Sequence, residues 1–227
     1  LGGWRKKVNM FDAFVEGDCN RVARRAGKTV AEKPGTTSFN PLVIYSSVGL
    51  GKTHLAQAIG NEVKRLHPGK VVLYVSSEKF INQFIDHGRN GAINDFIHFY
   101  QLIDVLIIDD VQFFNRAEKS QDAFFSIFNH LHQSGKQLIL TSDTAPKDLE
   151  GVQERLLSRF RWGLSADLQV PDYDTKIEIL QLKMKNDGLE MPPEVVKYIA
   201  YNMNSNIREL EGALISLLAQ SSLNKRE

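Results

Sequence analysis

The chain has 227 residues, 42% of them hydrophobic, and its 28 basic and 27 acidic residues leave a net charge of +1. This length suits one α/β core with a small appended domain, and the near-zero charge excludes strong long-range attraction of a single copy to nucleic acid. No apolar stretch approaches the roughly 18 residues of a membrane span, and the single cysteine, Cys19, excludes an internal disulfide, so we expect a cytoplasmic protein.

Short apolar runs alternate with helical patterns over the first 170 residues. The runs cover Leu42 to Tyr45, Val71 to Val75, Val105 to Ile108 and Gln137 to Thr141. This alternation is typical of repeated βα units and predicts a mainly parallel sheet, with a fifth strand within Trp162 to Leu168. Before the sheet, the pattern predicts an extended segment over residues 11–17 and a helix from about Asn20 to Ala31.

A glycine-rich turn after the first run has the pattern of a phosphate-binding loop. It reads Ser46-Ser47-Val48-Gly49-Leu50-Gly51-Lys52-Thr53, and His54 continues into a predicted helix. In such a loop, backbone N–H groups surround an anion at a helix N-terminus, where the helix dipole also favours negative charge. We expect Lys52 to reach the β- and γ-phosphates of a nucleotide and the Thr53 hydroxyl to ligate Mg²⁺. An ordinary strand-to-helix turn is the alternative.

One position departs from the full phosphate-loop pattern, which has glycine where this chain has Ser46. If that position requires a positive φ, serine costs roughly 1 kcal/mol of strain and weakens a nucleotide site about tenfold.

Two aspartates, Asp109 and Asp110, end the buried run that begins at Val105. Ligands of open α/β sheets bind beyond the carboxyl ends of the strands, so both carboxylates are expected in the same crevice as the phosphate loop. Adjacent strand residues face opposite sides, which predicts one aspartate for Mg²⁺ and one for polarising an attacking water. A pair of solvated loop aspartates is the alternative.

Two arginines lie one helical turn apart in the segment Val152 to Phe160, whose apolar residues define another face. Arg155 and Arg159 are therefore expected to point away from the core together. A solvated helix face is the ordinary explanation for such a pair; the sharper hypothesis is that Arg159 reaches the γ-phosphate held by a neighbouring subunit.

After Pro171 the sequence changes to three helical patterns, over about Thr175 to Lys185, Pro193 to Asn202 and Ile207 to Leu223. We predict an α/β nucleotide-binding domain over residues 1–170 and a three-helix lid domain over residues 171–227, with the base and ribose trapped between them. Asn206 and Glu209 form a predicted helix cap, which places Arg208 in the first turn. A cation there opposes the helix dipole, and a phosphate facing it would offset that cost.

Several further motifs match a known family. They are Asn40-Pro41, the stretch Gly49 to Leu55, Ile108 to Phe113, Leu140 to Asp143, Arg155 to Leu164, and Asn206 to Leu214. On these residues the chain resembles the AAA+ module of bacterial replication initiators, the DnaA family, from about Phe11 to Leu223. The two arginine-containing motifs are far more specific than a phosphate loop alone.

The resemblance implies an ATP switch with slow hydrolysis to ADP, ATP-dependent stacking of subunits into a filament at the replication origin, and opening of duplex DNA. It implies that Lys52 and Thr53 hold phosphates and Mg²⁺ and that Asp109 holds the metal. It further implies roles for Asp110 in hydrolysis, for Asp143 and Arg208 as nucleotide sensors, and for Arg159 as the finger that reads ATP on the adjacent subunit. The segment with Val15, Gly17 and Asn20 matches the part that lines the adenine.

The family also binds single-stranded DNA, and the matching positions here are Ile85, Lys119 and Ser120; for Lys119 a solvated helix start is the alternative. No helix-turn-helix pattern follows the lid, so origin duplex recognition would need a further domain. The chain could be part of an initiator or a short regulator that docks on one. A helicase-loader type of AAA+ protein is another alternative, and contact with a replicative helicase or its loader is possible in either case.

Overall fold

The computed structural model describes residues 10–203 and 206–224. Its strands are β1 (Leu42–Tyr45), β2 (Val72–Ser76), β3 (Val105–Asp109), β4 (Gln137–Ser142) and β5 (Leu164–Asp167). They form one sheet in the order β2-β3-β4-β1-β5, and every neighbouring pair is parallel. The predicted five-stranded parallel sheet is confirmed, with strand ends shifted by up to two residues.

Helices connect the strands and continue after them. In chain order they are α1 (Arg21–Glu32), α2 (Lys52–Leu66), α3 (Ser77–Arg89), α4 (Ile93–Gln101), α5 (Glu118–Gln133), α6 (Glu154–Phe160), α7 (Tyr173–Asp187), α8 (Pro193–Asn202) and α9 (Ile207–Asn224). The helix predicted before the sheet corresponds to α1, and the three helical patterns predicted after Pro171 correspond to α7, α8 and α9. The bounds of α8 are those predicted.

The extended segment predicted over residues 11–17 is wrong at its start, where Phe11–Ala13 form a 3-10 turn. The reason lies in packing: Phe11 and Phe14 are both buried in the core beside α1 and α2, and a tight turn brings the two rings to the same side.

The sheet is covered on both faces because its strand residues alternate between two cores. Ile44, Val105 and Ile107 pack on one side with α1 and α2. Val43, Leu106 and Ile108 pack on the other side with aromatic residues of α3, α4 and α5. All five residues of β3 are buried, as expected of a central parallel strand.

The last three helices have a small core of their own, formed by Leu180, Val196, Ile199, Ala200, Leu210 and Leu214. Asp172 caps α7 by accepting a hydrogen bond from the Thr175 N–H at 2.8 Å, so the first of these helices begins directly after Asp172. The domain boundary near residue 170 stays a prediction, and the outermost residues of both predicted domains, 1–9 and 225–227, lie outside the described residues. None of the described helices is long and apolar enough to cross a membrane.

Candidate nucleotide-binding site

The glycine-rich turn between β1 and α2 has the backbone of a phosphate cradle. Gly49 and Gly51 adopt φ of 82° and 98°, and Gly51 directly precedes the first residue of α2. Positive φ at these positions favours glycine. Ser46 is not among the positive-φ positions of the described chain, so the strain considered for it does not arise.

Lys52 is buried at the first position of α2. Its Nζ donates to the Ser46 carbonyl at 2.8 Å and to the Ser47 carbonyl at 3.2 Å. Burial lowers the pKa of Lys52, whereas the nearby carboxylates of Asp110, Asp143 and Asp109 raise it. The sheet and loop therefore bring the predicted lysine and all three predicted aspartates into one electrostatic neighbourhood.

Asp109, at the end of β3, is held by three hydroxyl donors from three different elements. Its Oδ2 accepts from Thr53 at 2.9 Å and from Tyr74 at 2.5 Å, and its Oδ1 accepts from Thr141. Sequence reasoning missed Tyr74 on β2 and Thr141 on β4. Hydroxyl residues near the ends of neighbouring strands were the available signal, but their contact depends on strand order.

Asp110 leaves the strand in a left-handed conformation, with φ 59° and ψ 58°, instead of continuing it as a strand residue. Its N–H donates to the Thr141 hydroxyl at 2.8 Å, and its carbonyl accepts from the Ser77 hydroxyl at 2.5 Å. Burial and the adjacent Asp109 carboxylate raise the pKa of Asp110, partly opposed by a hydrogen bond from Gln112. Because of this turn, the Asp110 carboxylate points in a different direction from the Asp109 carboxylate.

Gln112 connects Asp110 with the end of β4. Its Nε2 donates to Asp110 Oδ1 at 3.1 Å, and its Oε1 accepts from the Asp143 N–H at 3.3 Å. The side-chain amide therefore fixes the distance between the candidate hydrolytic aspartate and the candidate sensor.

A cavity of about 210 Å³ lies between the sheet domain and the lid helices. Val15, Asn20 and His54 line it from one side, and Lys183 and Ile207 line it from the other. Asn20 shapes the wall, because its side chain donates to the Val15 carbonyl at 2.9 Å and accepts from the Gly17 N–H at 3.1 Å. Gly17 packs against α7 so closely that a Cβ would lie 2.5 Å from the Thr175 hydroxyl.

His54 is held edge-on against Phe14, with ring centroids 5.3 Å apart. Its Nε2 is buried and has no hydrogen-bond partner among the described residues. Burial lowers the pKa of His54, so the neutral ring is favoured beside the cavity.

The lid helix α9 begins on the phosphate loop itself. The Gly49 carbonyl accepts from the N–H groups of Ile207 at 3.0 Å and Arg208 at 3.3 Å, which satisfies two first-turn donors. Asn206 and Glu209 exchange the predicted cap hydrogen bonds, at 2.9 and 3.0 Å. The Arg208 side chain is exposed, and its positive charge is near enough to help lower the pKa of Lys52.

The arginines of α6 lie together as predicted, on the outside of the helix. Arg155 lies over the Phe125 ring at 4.6 Å and pairs with Asp122, and Arg159 lies over the same ring at 5.4 Å. The apolar side of the segment is buried, whereas Arg155 is exposed and Arg159 half-buried.

The three candidate DNA contacts line a second, larger cavity of about 790 Å³ between α3 and the start of α5. Ile85 is 43% exposed and Lys119 is exposed, but Ser120 is only 3% exposed. Ile85 and Lys119 are accessible to a nucleic acid strand, whereas Ser120 supports the wall.

The residues present fit a nucleoside triphosphate with a divalent cation. The fit rests on the glycine cradle, the buried Lys52 and the meeting of the Thr53 hydroxyl with Asp109. The described residues contain no cluster of three or more histidine, cysteine or acidic residues that could hold a metal alone. Mg²⁺ needs no such cluster, because it commonly binds through one or two carboxylates plus substrate phosphates and water.

Comparison with known proteins agrees with a nucleotide-binding site. Residues 5–167 match the protein family described as the bacterial DnaA ATPase domain. The chromosomal replication initiator protein DnaA of Flavobacterium psychrophilum is 62% identical over 217 residues, which are 96% of this chain and 45% of that protein. The chain thus spans less than half the length of this curated relative.

Two solved structures extend the comparison to the fold. Domain III of the Thermotoga maritima replication initiation protein DnaA is 42% identical, with a TM-score of 0.93 over 98% of this chain and 92% of that chain. A structure of replication initiator DnaA bound to AMPPCP and single-stranded DNA is 39% identical, with a TM-score of 0.86 over 97% of this chain and 68% of that chain. The family match covers most of the sheet domain and the relatives align over nearly the whole chain; the chain belongs to the bacterial DnaA ATPase domain family.

Proposed function

We propose that the chain is an ATP-dependent assembly switch of a replication initiator. It binds ATP with Mg²⁺, associates with further copies of itself in that state, engages single-stranded DNA, and ends the active state by slow hydrolysis to ADP. A cytoplasmic location is part of the same proposal. The observation that carries it is the geometry of the glycine-rich turn, which buries Lys52, places the Thr53 hydroxyl 2.9 Å from Asp109 and receives the first N–H groups of lid helix α9 on the Gly49 carbonyl.

In this proposal the loop residues Ser47 to His54 wrap the phosphates, and Lys52 places its ammonium on the β- and γ-phosphate oxygens. Thr53 and Asp109 hold Mg²⁺, which neutralises charge on the phosphate oxygens when bound. Asp109 suits this role because Tyr74 and Thr141 fix both of its carboxylate oxygens. The wall formed by Val15, Gly17 and Asn20 contacts the base.

Asp110 orients the attacking water. It is less buried than Asp109, and its side chain is fixed by the Gln112 amide next to the loop that carries Asp143. Asp143 senses the γ-phosphate from the end of β4. Arg208 reads the phosphates from the lid, and because the start of α9 is hydrogen-bonded to Gly49, a change in the loop is passed directly to the lid.

Assembly and DNA binding use surfaces away from the loop. Arg159 on α6 reads the nucleotide of an adjacent copy, and Ile85 and Lys119 contact single-stranded DNA, with Ser120 at the base of the same cavity. The related structure that holds AMPPCP and single-stranded DNA supports this part.

The regulator and helicase-loader alternatives are less well supported. A regulator that hardly hydrolyses ATP would fit a weakened nucleotide site, but strain at Ser46 does not weaken this one, because Ser46 has no positive φ. A loader would share the ATP site, but the family match is to the initiator ATPase domain.

Light scattering of the chain at several concentrations, with ATP–Mg²⁺ and separately with ADP–Mg²⁺, tests the proposal. We expect larger species with ATP alone, and Lys52→Ala should bind neither nucleotide and stay monomeric. A monomer in both nucleotides, with binding verified by calorimetry, would contradict the assembly switch.

A further inference from the structure

We propose that Trp162 is a positioning residue that holds the Arg159 guanidinium ready for the nucleotide of a second copy of this chain. This inference rests on the proposed function, in which Arg159 acts between subunits.

The guanidinium of Arg159 is held most closely by Trp162 and Asn129, with the Phe125 ring farther away at 5.4 Å. Its Cζ lies 3.9 Å from the centroid of the Trp162 ring system, which is within cation–π distance. Its Nε donates to Asn129 Oδ1 at 2.8 Å. Among the described residues Asn129 is its one hydrogen-bond partner, so the terminal amino groups remain available as a fork for phosphate oxygens.

The charge of Arg159 also lacks an acidic partner, unlike that of its neighbours. Arg155 pairs with Asp122, and Arg161 pairs with Glu154. Within the described chain no carboxylate lies within salt-bridge distance of Arg159. A half-buried cation held by an aromatic face, with an amide as its hydrogen-bond acceptor, is chemically suited to an incoming anion.

The backbone that carries the indole is fixed by the turn that follows it, and the ring itself contacts His132. A Cβ on Gly163 would lie 1.9 Å from the Pro41 carbonyl oxygen, so this turn packs backbone against backbone. The Leu164 N–H donates to the same oxygen at 3.1 Å. His132 lies 4.9 Å from Trp162, centroid to centroid, on the side of α5.

Despite this support, the Trp162 side chain contributes little to the core, because the residue is 50% exposed. Trp162 is fixed yet exposed, and it lies beside Arg159, which has no acidic partner in the described chain. Contact with another molecule explains this arrangement better than a contribution to the stability of the fold. Fixing the arginine before association reduces the side-chain entropy lost when two copies meet. A second copy that covers the indole would also desolvate the cation–π contact and strengthen it.

The experiment compares ATP-dependent assembly of Trp162→Leu, Trp162→Phe and Arg159→Ala by light scattering over a range of chain concentrations. Tyr201→Leu is the matched control, because Tyr201 is a still more exposed aromatic on lid helix α8. ATP affinity is measured for each variant by calorimetry. We expect Trp162→Leu to bind ATP normally but to need on the order of tenfold more chain for half-maximal assembly, and Trp162→Phe to recover most of that loss.

Three results would overturn the inference. Trp162→Leu could assemble like the parent chain while Arg159→Ala does not, which would leave the proposed function intact. Trp162→Phe could be as poor as Trp162→Leu, which would show a role for the shape of the indole alone. Normal assembly by Arg159→Ala would instead contradict the finger role in the proposed function, and the inference with it.

Fluorescence provides a second readout that does not depend on the Leu variant folding. The chain has two tryptophans, so Trp4→Phe leaves Trp162 as the sole indole. We expect its emission to change with ATP-driven assembly and to stay constant in ADP or in an added Arg159→Ala variant. Unchanged emission during assembly would place Trp162 outside the interface and overturn the inference.

Discussion

Asp110 combines an unfavourable backbone conformation and an unfavourable charge with a proposed role in hydrolysis. It is the one non-glycine residue of the described chain with positive φ, and burial and the Asp109 carboxylate disfavour its charge. Strained or electrostatically unfavourable groups persist where the surroundings hold them in place, and here Ser77 and Thr141 fix the peptide groups on either side. The geometry therefore trades stability for the orientation of one carboxylate.

Asp110→Asn should stabilise the chain at neutral pH and lower ATP hydrolysis by on the order of 10²-fold or more. Asparagine tolerates the left-handed region and carries no charge. Because the folded pKa of Asp110 is raised, the stability linked to its protonation is lost as pH rises from the ordinary aspartate range through the folded pKa. The advantage of the variant should grow over that range.

Thermal unfolding of both chains at several pH values, without nucleotide, checks this expectation. Asp109→Asn is the control and should destabilise, because Asp109 accepts three hydroxyl hydrogen bonds. A lower unfolding temperature for Asp110→Asn at pH 7 would show that its carboxylate is not a source of strain.

Thr141 is a second residue with a testable local role, since one buried hydroxyl donates to Asp109 and accepts from the Asp110 N–H. Thr141→Val keeps the shape of the side chain but removes the hydrogen bonds to Asp109 Oδ1 and from the Asp110 N–H. We therefore expect a loss of about 2–3 kcal/mol in unfolding free energy. Denaturant titration measures it. Thr141→Ser retains the hydroxyl and should lose less than half as much; equal losses would assign the effect to packing.

At the scale of elements, the contact between the phosphate loop and α9 determines how the lid is attached. The Gly49 carbonyl receives the first N–H groups of α9, and a Cβ on Gly49 would lie 2.7 Å from Asn206 Oδ1. The loop thus replaces part of a helix cap and links the candidate binding loop directly to the helical core of the lid.

Asn206→Ala should weaken this link, because loss of a helix cap costs about 1 kcal/mol. We expect ATP affinity to fall several-fold, since Arg208 is positioned by the same turn, while the sheet domain keeps its stability. Calorimetry with ATP–Mg²⁺ measures the affinity. Asn206→Ser keeps an uncharged cap acceptor and serves as the control; the same affinity in the Ala variant as in the parent would mean that the cap does not position Arg208.

For the whole molecule, the phosphate loop and the α6 arginines belong to different surfaces, as the proposed function requires of a copy that binds one nucleotide and senses another. The partners of Arg159, namely Asn129, Phe125 and Trp162, all lie on α5 or just after α6. They do not include the loop that precedes α2.

Arg159→Ala should therefore leave ATP affinity unchanged and abolish ATP-dependent assembly. Arg161→Ala is the matched control, because Arg161 is a nearby exposed arginine already paired with Glu154. Calorimetry and light scattering on the same preparations separate the two effects. Assembly of Arg159→Ala at parental concentrations would exclude the finger role.

The sequence by itself determined those features whose chemistry is carried by neighbouring residues. The turn Gly49 to Thr53, the pair Asp109-Asp110 and the cap at Asn206 are each read within a few positions, and strand and helix periods placed them at strand ends and helix starts. The parallel sheet, and with it a shared site at the carboxyl ends of the strands, followed from the same periods.

Only the tertiary structure decided which distant side chains complete the site. Tyr74 and Thr141 meet Asp109 across 35 and 32 positions of chain, because β2 and β4 flank β3 in the sheet. Such contacts depend on strand order and register. The alternating pattern that identifies a strand in the sequence specifies neither of them. Backbone conformation was equally hidden: Ser46 lies outside the left-handed region, whereas Asp110 adopts it, with its peptide groups hydrogen-bonded to Ser77 and Thr141.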